Sequence, residues 1–328
     1  MIEHPNITET LTLSLDSKPR DILFLPRLQK VFITGGNLLF NQGFISRWNL
    51  NSPKLEKTVD LSFVVWRMTH DFDQKMIFIG QYSFPCSISA VCPESLTTLK
   101  VFKGHLEPIS NLVFVNTHGF VSGSYDKSVK RWNFNDSDSE FIHRASSQID
   151  EEVTDLVFWP EKSEVIIATA QCSIKAMKSD FLDLCWSISG AESFSSLVLR
   201  PDDSSLFAGT ATGLLVHISL EKKEVLYSLQ VHSGFIFSLC PYGEYVLTGS
   251  SDGSLAMTQS GNKSSVRFFF DQSSINQMKI IKNSLVFVTN GGNLKVASIQ
   301  GVHVEVPPEK SRDVSMMNQS SMSFAKKN

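Results

Sequence analysis

His105 and Asp126 stand 21 residues apart, with Ser122, Ser124 and Trp132 nearby, and the first two are the side chains of an acid–base dyad. His232 and Asp252 repeat the pairing without the Trp, Thr258 taking its place. "GSSDG" at 249–253 suggests a different chemistry, because it matches Gly-x-Ser-x-Gly and would make Ser251 a nucleophile. That motif needs a strand, a sharp turn and a helix. Here it lies between two short apolar runs, so Ser251 reads as a hairpin residue. The eight His include no pair at ligand spacing, the five Cys form no Cys-x-x-Cys, and no Gly-rich phosphate loop occurs. No catalytic residue, metal or cofactor is expected. A buried His and Asp satisfy each other and an indole N–H needs an acceptor, so these residues read as architecture.

Such a network needs elements that bring a loop, a hairpin and a strand end together, and the chain supplies them by repetition. "FITG", "IFIG", "FVSG", "IIAT", "LFAG", "VLTG" and "VFVT" end at positions 35, 80, 123, 169, 209, 249 and 289, a period of 40–46 residues. Another strand precedes each motif, a tight turn and a third strand follow it, and most units add a fourth, such as "KLEKTVDL" or "EVLYSLQV". One four-stranded meander cannot bury both faces, but seven stacked about an axis can. The expected fold is all-β, a seven-bladed β-propeller of four-stranded antiparallel blades. The blades would start near 22, 64, 109, 153, 194, 235 and 275, in one domain over 1–307. Residues 8–15, with Leu11, Leu13 and Leu15 on one face, are favoured to close the last blade over the alternating segment 301–307. Residues 308–328, polar and without periodicity, are expected to be disordered.

The 328-residue chain carries a net charge of -3 and no basic run, so direct contact with nucleic acid is not expected. No stretch approaches the apolar length of a membrane helix, no leader sequence is apparent, and the odd Cys count suits reduced thiols. A cytoplasmic or nuclear location without membrane contact is the expectation.

"GH…SGSYDKSVKRWN" at 104–133 resembles a unit of the WD-repeat (WD40) family. The resemblance implies a buried tetrad of His105, Asp126, Trp132 and a second-strand hydroxyl, Ser122 or Ser124, with His232 and Asp252 as a partial copy. Units four, five and seven lack most polar signature residues, so the member is divergent. The resemblance also implies a rigid, non-catalytic scaffold or adaptor for protein–protein interaction. More specific versions are a cullin-type ubiquitin ligase substrate receptor or an RNA-associated assembly factor. Partner contacts are expected on the face bearing the second-to-third-strand hairpins, at Tyr82, Glu107, Tyr125 and Ser251. Exposed Phe269 on an outer strand is the alternative docking point.

Overall fold

The computed structural model describes residues 6–49, 52–117, 119–133, 142–200, 204–261, 264–270 and 272–300, with the side chains of 142–144 left aside. The segments 301–307 and 308–328 lie outside the described residues. The first strand is β1 (Asn6–Ser14). Blade one is β2 (Pro19–Leu25), β3 (Lys30–Asn37), β4 (Gln42–Asn49) and β5 (Lys54–Leu61). Blade two is β6 (Val65–His70), β7 (Ile77–Gln81), β8 (Ile88–Val91) and β9 (Thr98–Phe102). Blade three is β10 (Ile109–Asn116), β11 (Gly119–Ser124), β12 (Ser128–Asn133) and β13 (Ile142–Gln148). Blade four is β14 (Val153–Trp159), β15 (Glu164–Thr169), β16 (Ser173–Lys178) and β17 (Leu184–Ser189). Blade five is β18 (Phe194–Arg200), β19 (Ser205–Thr210), β20 (Leu214–Ser219) and β21 (Glu224–Gln230). Blade six is β22 (Ile236–Tyr242), β23 (Tyr245–Ser250), β24 (Ser254–Gln259) and β25 (Ser265–Phe269). Blade seven is β26 (Ile275–Ile281), β27 (Ser284–Thr289) and β28 (Asn293–Gln300), completed by β1.

Each sheet is antiparallel in the order of its four strands, so the fold is a seven-bladed propeller. β1 pairs with β28 from Asn6↔Gln300 to Ser14↔Asn293, which joins the two ends of the described chain inside one sheet. The hydrophobic core is divided into layers between neighbouring blades. One holds Phe78 and Phe102 of blade two against Phe114, Phe120 and Trp132 of blade three; another packs Ile22 and Val31 of blade one against Val286 and Val288 of blade seven. β7, β11, β15 and β19 are buried along their whole length, while β5 and β21 are mostly exposed. Buried on both faces, a second strand must be apolar throughout, which is why its motif is the visible repeat.

The glycine in that motif has a packing cause. A Cβ on Gly123 would lie 2.4 Å from the Val153 side chain of the next blade, and one on Gly249 2.7 Å from Ile275. The strand pairing also corrects the repeat alignment. Leu112↔Ser122 and Asn111↔Gly123 in blade three match Ile22↔Ile33 and Asp21↔Thr34 in blade one. In blade four Asp155↔Ala168, and in blade seven Gln277↔Val288, hold the same place. Thr34, Ala168 and Val288, rather than Gly35, Thr169 and Thr289, are thus the equivalents of Gly123. A bulge near the start of every first strand skips Arg20, Trp66, Ser110, Thr154, Ser195, Phe237 and Asn276 in turn, so the residue after it marks the same place in all seven blades.

The residue after each bulge clasps the next blade where its chemistry allows. Asp21 accepts the Met68 amide at 2.6 Å, Asp155 accepts the Leu197 amide at 2.7 Å, and the Ser238 hydroxyl accepts the Met278 amide at 3.0 Å. Asn111 donates to the carbonyl of Leu156 at 3.1 Å. These bonds run between blades that share no sheet.

Candidate functional site

In an up-and-down meander the connection between blades and the second-to-third-strand hairpin lie at the same end, so His105 and Asp126 share one face of the ring. Asp126 Oδ2 accepts from His105 Nδ1 at 2.8 Å and from the Leu106 amide at 3.0 Å. Its Oδ1 accepts from the Ser128 amide at 3.0 Å and the Ser128 hydroxyl at 2.6 Å. Beyond the ring, His105 Nε2 lies 2.7 Å from Ser122 Oγ, which accepts the Trp132 indole N–H at 2.8 Å. Of the two serines, Ser122 therefore sits in the chain. Ser124 instead donates to the Glu107 carbonyl and accepts the Asp126 amide.

Donors and acceptors match throughout only if His105 is neutral with its proton on Nδ1: Ser122 then donates to Nε2 while accepting from Trp132. Burial depresses the His105 pKa, partly opposed by the Asp126 carboxylate. For Asp126 burial pulls upward, but the bonds from His105, Ser128 and Leu106 outweigh it and hold the carboxyl far below its ordinary range. The network is closed and offers no reacting group.

Blade six repeats the scheme with a longer relay. His232 Nε2 meets Thr248 Oγ1 at 2.7 Å and Nδ1 meets Ser254 Oγ at 2.7 Å, while Ser254 donates to Asp252 at 2.6 Å. Asp252 also accepts the Ser233 amide at 2.9 Å. Blade one keeps Trp48, but Ile33 occupies the place of Ser122, so the indole donates to Ser46 of its own strand at 2.8 Å. Blades four and five carry ties that the sequence pattern did not suggest. In blade four Glu151 accepts from Ser173 at 2.6 Å and pairs with Lys175 at 2.7 Å, and in blade five Glu192 bonds Thr212. A glutamate two residues before the first strand, the place of Glu107 in blade three, thus ties the loop to the hairpin, and these units are less bare of polar links than expected.

These histidines make stability pH-dependent in a defined direction. Burial depresses the folded pKa of both His105 and His232, whereas an unfolded histidine titrates near 6.5. Below about pH 6.5 the unfolded chain takes up protons that the native state refuses, so stability falls on acidification, by up to about 1.4 kcal/mol per pH unit for each histidine. Urea unfolding between pH 8 and 5 should show a shallower slope for His105→Gln than for the unaltered chain. Equal slopes would contradict a neutral, buried His105. Asp21 and Asp155, raised by burial, act in the opposite sense but contribute to both chains alike.

Next to the tetrad the same face opens into a cleft of about 690 Å³ lined by Tyr82, Leu106, Glu107, Pro108, Tyr125, Asp126, Lys127 and Glu152. Tyr82, Glu107 and Tyr125 are brought together there by the loops of blades two to four. Ser251 sits on the corresponding hairpin of blade six, its amide bonded to the Phe235 carbonyl at 2.9 Å, and lies outside the cleft. Phe269 is elsewhere, 71% exposed on β25, with Phe268 and Phe270 packed inward. Burial raises the Tyr125 phenol. Two residues absent from the sequence-based expectation stand behind Tyr82 rather than in the lining. Trp66 stacks on Tyr82 with centroids 4.5 Å apart and planes 28° off parallel, and the Arg20 guanidinium lies 4.9 Å from the Trp66 ring centre. Both occupy bulge positions, which are small or polar in blades three, four, five and seven. A Trp at that place in the repeat was the available signal.

The hairpin of blade one extends past the others, with Leu39 90% and Phe40 69% exposed at its tip. Phe84 (83%) and Leu106 (79%) stand on the loops of blades two and three. The apolar tip at 38–40 therefore does not fold back onto the blade. Among the described residues no cluster of His, Cys, Asp and Glu has the arrangement of a metal site, and no helix is long and apolar enough to cross a membrane.

Two segments match a protein-family model, that of the WD domain, G-beta repeat: residues 96–133 and 223–257. Each runs from the outer strand of one blade through the third strand of the next, and they contain the His105 and His232 networks. The chain thus carries two stretches that match WD40 repeats, set on a seven-bladed ring. Propellers of this family serve in general as platforms for protein interaction. No curated protein matches the chain.

Proposed function

We propose that this protein is a non-catalytic scaffold or adaptor of a multiprotein complex that holds a peptide or loop of its partner in the Tyr82–Tyr125 cleft. The observation that carries this reading is the convergence of two tyrosines and Glu107, from separate loops, on one cleft beside a rigid tetrad. Tyrosine supplies broad amphipathic contact at little rotational cost, and Glu107, with Glu152, would align basic groups of the partner. The exposed tips Leu39, Phe40 and Phe84 offer apolar surface on the neighbouring loops.

The version as a cullin-type substrate receptor rests on an Arg two positions after the Trp-Asp pair, but Phe134 and Asn135 follow Trp132-Asn133 and Leu50 and Asn51 follow Trp48-Asn49, all four outside the described residues. The RNA-associated version rested on "KSVKRW" at 127–132. Arg131 of that run is 2% exposed and donates to the Trp132 carbonyl at 2.8 Å, while Lys130 bonds Ser146. The run is mostly interior support.

Tyr125→Ala is expected to weaken partner recovery about thirtyfold, the effect of truncating an interface anchor worth about 2 kcal/mol. The check is co-purification from cells with Tyr125→Ala and Phe269→Ser made separately, each with unchanged melting. If the Tyr125 variant keeps every partner while the Phe269 variant loses one, docking is on the blade side and the cleft reading fails.

A further inference from the structure

The bulge residues of three blades make one recurrent bond. Thr154 donates to the Phe194 carbonyl at 2.7 Å, Ser195 to the Ile236 carbonyl at 2.7 Å, and Asn276 to the Pro19 carbonyl at 2.7 Å. Each reaches the first residue of the next blade, so together they line part of the channel mouth. Blades one and two depart from this rule. Arg20 makes no such bond; it stacks on Trp66, and its buried Nε has no partner among the described residues. Arg67, the residue after the bulge of blade two, has one long contact, 3.4 Å to the carbonyl of Trp66. On blade three the buried Ser110 hydroxyl, at the bulge position, is also without a partner among the described residues.

Arg20 and Arg67 lie close enough for the charge of one to oppose the other, and burial further disfavours the Arg20 charge. No carboxylate pairs with either arginine among the described residues. Asp21 and Asp155 feel the charge of Arg67, but their oxygens are engaged by the amides of Ile22 and Met68, and of Leu156 and Leu197. Two neighbouring guanidinium groups without an anion cost stability, and such local violations of packing chemistry mark functional positions. A guanidinium stacked on an indole keeps its edge N–H groups free and already oriented, the arrangement that suits a planar or tetrahedral anion.

We propose that Arg20 and Arg67, beside the Trp66–Tyr82 stack at the channel mouth, form a subsite for the carboxylate or phosphate of an acidic residue on the docked polypeptide. The proposal rests on the scaffold reading above and adds the chemistry of the partner. The bound segment presents an anion to this pair and basic groups to Glu107 and Glu152 at the rim.

The test is titration of the full-length chain at constant ionic strength with sodium phosphate, then with a capped pentapeptide carrying one phosphoserine and with its aspartate counterpart. The readout is the arginine Nε–H signals in nuclear magnetic resonance. Saturable shifts of Arg20 and Arg67 are expected with at least one peptide, weakened about tenfold or more in Arg20→Gln and in Arg67→Gln. Melting of Arg20→Gln should be unchanged or raised, since it removes one of two opposed cations, and Arg20→Lys should keep part of the response. Shifts that do not saturate, or that survive both Gln substitutions, overturn the proposal. So does a lowered melting temperature in Arg20→Gln, which would make that arginine structural. Saturation by phosphate with neither peptide binding leaves a free-anion site and overturns the polypeptide assignment. None of these outcomes bears on partner loss by Tyr125→Ala, which tests the cleft separately.

Discussion

Asp126→Ala is expected to lower stability by about 3 kcal/mol or more, since several buried donors are orphaned together at about 1–3 kcal/mol each. The carboxylate accepts from His105, the Leu106 amide and both the amide and hydroxyl of Ser128, and all lose their acceptor at once. Trp132→Phe should cost about 1–3 kcal/mol, because it keeps most of the packing against Phe102 and Phe120 but withdraws the donor to Ser122. Asp252→Ala in blade six makes an internal comparison. His232 keeps Ser254 at 2.7 Å when that carboxylate is lost, whereas the equivalent Ser128 is 3.4 Å from His105. The blade-six substitution should therefore be the milder of the two. Urea unfolding of the three variants decides the matter; equal midpoints for Asp126→Ala and the unaltered chain would remove the tetrad from any account of stability.

The second large effect lies between blades. Asp155→Ala should destabilise by about 3 kcal/mol, through the orphaned buried amides of Leu156 and Leu197 and the lost acceptor of Asn111. For a domain of this size that corresponds to a fall in Tm of roughly 5 °C. Asp155→Asn is nearly the same shape, yet it turns an N–H₂ group toward donors that had faced oxygen, so it should recover only part of the loss. Thermal unfolding followed by circular dichroism reads both. Full recovery in Asp155→Asn would mean that the bond across to Leu197 contributes little to holding blades four and five together.

The two substitutions differ in how far their sites were visible beforehand. His105, Asp126 and Trp132 sit within one unit, at the ends of elements whose turns and alternation are local, so their types and spacing already suggested a network. Asp155 was read only as part of a strand. Its partners, Asn111 and Leu197, are 44 and 42 residues away, in blades whose relative position depends on closure of the ring.

From the sequence alone came the number of blades, the four-strand meander and the location of the fullest tetrad. Each follows from short-range physics: a strand buried on both faces is apolar throughout, a hairpin needs its turn, and a buried His needs a near acceptor. The choice of Ser122 over Ser124 required the twist and register of real strands. The shift of the repeat motif in blades one, four and seven was set by the register between first and second strands, which hydropathy does not show. The bonds of Glu151 and Glu192 to their hairpins depended on how the blade-to-blade loops fold back over the second-to-third-strand turns. The stack of Arg20, Trp66 and Tyr82, and the cleft beside it, arose only when the ring brought blades one, two and three side by side. Side chains on different blades meet through packing, and no pattern within one repeat encodes that meeting.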